Sequence, residues 1–197
     1  MGTKVHYSGK FGELERIEEF EDRVLDMALD LGADAQIFRG FPTTSPTRAV
    51  RGLIVNLAAG QESLSLLVSP DGWLIPGYRL DVADLHNDTE PPWCSVKTQY
   101  GSLEGHILVV EVLDAIRKVF IKTLEVDDEA GYWEHRDIGA LAKRFRRNQF
   151  LIDSFARGLD KSTMREQSGA AQNAPRRCLC TIGLVSHRWG LNLKFHL

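Results

Sequence analysis

The densest polar group in this 197-residue chain is Asp127, Asp128, Glu129, Glu134, His135 and Asp137, interrupted by Tyr132 and Trp133. A second group is Lys97, Gln99, Tyr100, Glu104 and His106. Carboxylates beside a histidine are what divalent cations use, with oxygen ligands for hard ions and imidazole for softer ones. The same types can carry general acid–base chemistry near neutral pH. Asp127, Glu129 and His135 are therefore metal candidates. A hydrolase would draw an acid–base pair or a metal from His106, Glu104 and the acidic turn 127–135. The spacing is unspecific, however. Glu104 and His106 are two residues apart, so on one helix they point about 200° apart. No H-E-x-x-H, calcium loop, G-x-S-x-G elbow or phosphate loop is present. His106 sits on an apolar stripe, where a hydrogen-bonded core histidine is the plainer reading. The run 127–129 reads most simply as a solvated turn.

Tyr132 and Trp133 adjoin in a turn, and exposing both is costly. They pack on the core or present a flat surface to a partner. Lys97, Gln99, Glu104, His106, Tyr132, Trp133 and Glu134 are thus the candidates for ligand or partner contact. Lys143, Arg144, Arg146 and Arg147 form a basic patch on the last helix. Residues 11–34 hold nine acids against two bases, while residues 139–197 hold eleven bases against three acids. The simplest expectation is that the acidic first helix and the basic last helix neutralise each other within the chain. Nucleic acid is then a disfavoured partner, reached only through the last helix and the tail.

Several elements must hold these residues. Leu14, Ile17, Phe20, Val24, Leu25, Ala28 and Leu31 recur at spacings of three and four, which predicts a helix closed by Gly32. Ala35–Arg39, Arg51–Ala58, Ser63–Val68 and Trp73–Tyr78 read as strands, with Ser69-Pro70-Asp71-Gly72 as a tight turn. Phe41–Thr47 and Arg79–Trp93 read as loops. Val5–Phe11 and Cys94–Tyr100 are further short strands. Ser102 caps a buried helix through Phe120. Leu124–Val126 is a strand. The last helix spans about 137–157, with Ile138, Leu141, Phe145, Ile152 and Phe155 as its core stripe. The fold class expected is α+β, an antiparallel sheet of three to five strands with three helices mainly on one face.

Residues 1–158 are expected to form one domain. Residues 159–197 read as a linker, because Ser162–Pro175 has almost no bulky apolar residue, and a basic tail that is either a flexible extension or a terminal strand returning to the sheet. The three cysteines allow no disulfide framework and fit a reducing cytosol. Cys178 and Cys180 lack the second pair that a zinc site needs. No apolar run suits a signal peptide or a membrane span, so the expected location is cytoplasmic with no membrane partner.

Two stretches are familiar as a pair. They are Ser95–Ile107, with Lys97-Thr98-Gln99-Tyr100 opening a helix, and Glu125–Glu134, with Gly131-Tyr132-Trp133-Glu134 opening the next. The pairing resembles an uncharacterised family of small bacterial proteins over about residues 1–158. The resemblance implies a bacterial cytosolic protein whose residues 95–137 line one side of a pocket or contact surface. It implies no chemistry, cofactor or oligomeric state. The function expected is a non-enzymatic binding module that takes a protein partner or a small ligand. The hydrolase and the nucleic-acid contact are its alternatives.

Overall fold

The computed structural model describes residues 3–40, 50–78 and 91–170. Residues 41–49, 79–90 and 171–197, which include most of the two expected loops, Cys178, Cys180 and most of the expected basic tail, lie outside the described residues. The chain divides into two compact units, Met1–Asp153 and Ser154–Leu197.

The first unit is α+β, and its strands fall into two antiparallel sheets. β1 (Lys4–Ser8) lies between β6 (Cys94–Lys97) and β7 (Glu125–Asp128). Their registers set Val5 opposite Val96 and Asp128. The second sheet is a meander of β2 (Asp34–Gly40), β3 (Val50–Asn56), β4 (Leu64–Val68) and β5 (Leu74–Ile75). Its last turn is built as the sequence predicts. Gly72 N–H donates to Ser69 O at 2.9 Å, and Gly72 takes the positive φ of 90° that its position requires. The single expected sheet becomes two because β1 pairs with strands about 90 and 120 residues away, which local patterning does not reveal. The sheets meet where Phe11 N–H donates to Gly72 O and Leu74 N–H to Gly9 O. Tyr7 hydroxyl also donates to Ser65 O at 2.7 Å, and burial pushes the Tyr7 hydroxyl pKa well up.

α1 (Ile17–Asp30) buries Ile17, Phe20, Val24 and Ala28 of the predicted stripe, whereas Leu25 is half-buried and Leu14 and Leu31, which flank the helix, are exposed. It also buries Glu21, only 2% exposed, which binds Arg51 at 2.7 Å and Arg39 at 3.3 Å. That carboxylate ties α1 to β2 and β3. α2 (Leu103–Val119) starts at Ser102, whose hydroxyl accepts Gly105 N–H at 3.0 Å. Val5, Tyr7, Phe20, Leu53, Leu66, Val96, Leu113 and Ile116 belong to one apolar core, drawn from both sheets and both helices.

Two short-range expectations need correction. Tyr132–His135 is a four-residue helix, α3, rather than a turn. The last helix, α4 (Ile138–Ala170), has 33 residues and runs through Gly158 and Ser162, where a linker was expected. Residues 159–170 contain Leu, Lys, Met, Arg, Glu, Gln and Ala and no proline. The cost of Gly158, about 1 kcal/mol, does not stop the helix, although Asp160, Ser162, Thr163, Ser168 and Gly169 are weaker formers. The predicted core stripe of α4 is also only partly right. Leu141 is buried and Phe145 half-buried, but Ile138 is 54% and Phe155 73% exposed.

Candidate functional site

β6, α2 and β7 bring three sequence-distant polar side chains together in the interior. His106, on the first turns of α2, is sealed from solvent, as are Thr98 just after β6 and Asp128 at the end of β7. His106 Nδ1 lies 2.8 Å from Thr98 Oγ1, and Nε2 lies 3.3 Å from Asp128 Oδ2. Thr98 Oγ1 is also 3.3 Å from Thr3 O. The Tyr132 and Phe145 rings close over the imidazole edge-on, at 6.4 and 5.6 Å.

Asp128 takes more than the histidine. Its Oδ1 accepts Ala130 N–H at 2.8 Å, and its Oδ2 accepts Tyr132 N–H at 2.7 Å and Trp133 N–H at 3.0 Å. The carboxylate thereby serves the free N–H groups that begin α3. Burial pushes its pKa up. The hydrogen bond and charge of His106 and the backbone donors outweigh that burial and hold it below the usual carboxylate range.

The order hydroxyl, imidazole, carboxylate is that of a nucleophilic triad. Here it has no approach. Thr98 and His106 are fully buried, and the polar side-chain atoms of Thr98, His106 and Asp128 all have partners inside the protein. A nucleophile must reach a substrate carbon, so this arrangement works as a structural strut that fixes α2, β7 and α3 together. Among the described residues no three His, Cys, Asp or Glu side chains form a set able to hold a metal ion. Asp127 and His135 are exposed. Glu129 is turned to β1, where its Oε2 accepts Lys4 N–H at 3.0 Å and its Oε1 faces His6 at 3.7 Å.

The remaining candidates do not converge on His106. Glu104 and Glu134 are exposed. Lys97 Nζ lies over the Tyr100 ring at 4.9 Å. The Gln99 carbonyl oxygen is buried without a partner, as are both amide atoms of Gln61, a residue that no motif or spacing singles out. Tyr132 is buried, while Trp133 is half-buried with two guanidinium groups over its ring, Arg117 at 5.0 Å and Arg136 at 5.4 Å. Arg136 is held in turn by Glu111 at 2.6 Å. The aromatic pair therefore packs rather than presenting an open flat surface.

The basic patch behaves differently from its expectation. Lys143, Arg144, Arg146 and Arg147 are all exposed, and among the described residues none makes an ion pair. Three acids of α1 find their bases elsewhere. Glu19 binds Arg16, Glu18 binds Arg51, and Glu21 binds Arg51 and Arg39. The expected neutralisation of the first helix by the last is thus overturned, because β2 and β3, not α4, flank the acidic helix.

No family model, curated protein or solved structure matches the chain. Among the described residues no helix is long and apolar enough to cross a membrane.

Proposed function

We propose that the protein is a non-enzymatic interaction module, and that its contact surface is the outer face of α4, built to meet an acidic protein partner. One observation carries this reading. Four cations within five residues of one helix lie exposed with no carboxylate among the described residues to answer them. Held this close, they repel one another and favour an anionic partner. A hydrolase has less behind it, since the best acid–base pair is sealed beneath Tyr132 and Phe145. The odd cysteine count and the likeness of residues 95–107 and 125–134 to a bacterial family support a bacterial cytosolic setting.

The test is retention on immobilised polyglutamate. Wild type should bind at low ionic strength and elute with salt, and Lys143→Glu/Arg147→Glu should pass through with its circular dichroism unchanged. Equal retention of both proteins would remove α4 as the contact surface.

A further inference from the structure

The chain carries its own candidate for the acidic partner. On α1, Asp22, Asp26 and Asp30 follow one another at i, i+4 and i+8, so they lie along one stripe. All three are exposed, and among the described residues none is ion-paired. Leu29, on the same side of the helix, is 66% exposed. On α4 the stripe Lys143, Arg147 and Leu151 has the same spacing, and Leu151 is 42% exposed. Laid side by side in the same direction, the two stripes match step for step. Lys143 meets Asp22, Arg147 meets Asp26, and Leu151 falls beside Leu29 and Asp30. Each step is about 6 Å of helix rise on both sides.

We infer that a second copy of this chain is the partner, with α1 of one copy docking on α4 of the other. This rests on the reading of α4 as the contact surface and names what covers it. A contact between copies answers both unpaired faces at once and places a leucine pair within a charged surround, the usual anatomy of an interface. A nucleic acid would answer only the basic face, and the acidic stripe of a chain with net charge -3 would oppose it. Exposed ion pairs are individually weak, so the association draws on several together and falls with salt.

The experiment is the mass of the full-length protein in solution by light scattering, at about 0.01 M and about 1 M salt, where the screening length is about 30 and 3 Å. Wild type should exceed the 22.1 kDa of one chain at low salt and return towards it at high salt. Asp22→Lys/Asp26→Lys and Lys143→Glu/Arg147→Glu should each stay at one chain. Mixed together they should associate again, since the reversed faces of the two variants are complementary. A wild type that remains at one chain in low salt, or a mixture that fails to associate, overturns the proposal. So does a wild type that stays a single chain yet shifts a labelled oligonucleotide. If the single chain still binds polyglutamate through α4, only the identity of the partner has failed. If it binds neither, the contact surface has failed as well.

Discussion

His106 Nε2 lies 3.3 Å from Asp128 Oδ2, with both side chains sealed from solvent, and the same Oδ2 takes the backbone N–H groups of Tyr132 and Trp133. The aspartate is therefore the joint between α2, β7 and α3, and its charge is held by one imidazole and by backbone dipoles.

Asp128→Asn tests that joint. The amide keeps one oxygen for the N–H donors but turns an NH2 group towards others, and it leaves His106 without its carboxylate. Hydrogen bonds to a charged group are worth about 1.5 to 3 kcal/mol, and the amide weakens those that the carboxylate accepts. Urea unfolding should show a loss of this order. A loss within the range of a surface substitution, about 0.5 kcal/mol, would mean that Asp128 holds nothing together.

The same residue predicts a pH dependence. The folded Asp128 carboxyl is held below its usual value while the unfolded one is not. Its contribution to stability is therefore complete above the unfolded pKa of about 3.9 and is lost as pH falls through the folded value. Unfolding free energy measured from pH 6 downwards should drop along this limb. The drop should be shallower in Asp128→Asn, though not absent, because Asp114 is also lowered by Lys118, Arg136 and Arg117. Parallel acid limbs in the two proteins would exclude Asp128 as a source.

The helices α1 and α2 were legible because their apolar residues repeat at the helical period, and the cap at Ser102 and the turn at Gly72 follow from residue type alone. The two-sheet arrangement was not legible, because β1 finds its partners far along the chain. The role of Asp128 was hidden for a local reason. An acid in the run Asp127-Asp128-Glu129 looks solvated, yet strand alternation turns Asp127 outward and Asp128 inward. That alternation, with an aspartate just ahead of Ala130-Gly131 and an aromatic pair, was the available signal. That Lys143, Arg144, Arg146 and Arg147 have no ion pair among the described residues was invisible for a different reason. Which helices lie side by side is decided by tertiary packing, so charge balance along the chain suggested a neutralisation that the fold does not make.

Gly52→Ala tests the meander. Gly52 sits mid-strand at φ 132°, and a Cβ there would lie 2.1 Å from the Leu66 carbonyl oxygen of β4. Both the dihedral and the backbone contact resist a side chain, so the cost should be about 3 kcal/mol or more. For a chain of this size that lowers the melting temperature by about 6 to 12 °C. An unchanged melting temperature would show that β3 and β4 do not approach so closely.

Gln61→Met should act in the opposite direction. Both amide atoms of Gln61 are buried without a hydrogen-bond partner, against Ala58, Gly101 and Gly105 at the start of α2. A buried amide that bonds to nothing has lost its water and gained nothing in return, a cost of about 1 to 3 kcal/mol. Methionine has the same length and no polar group, and it adapts to irregular space. The substitution should therefore raise the unfolding free energy by about that amount, read as a higher urea midpoint at unchanged slope. Gln61→Glu should do the reverse, because it puts an uncompensated charge in the same place. A fall in stability for the methionine variant would show that the amide has a partner in solution, and the neighbouring Gln99 oxygen would then be the first group to substitute.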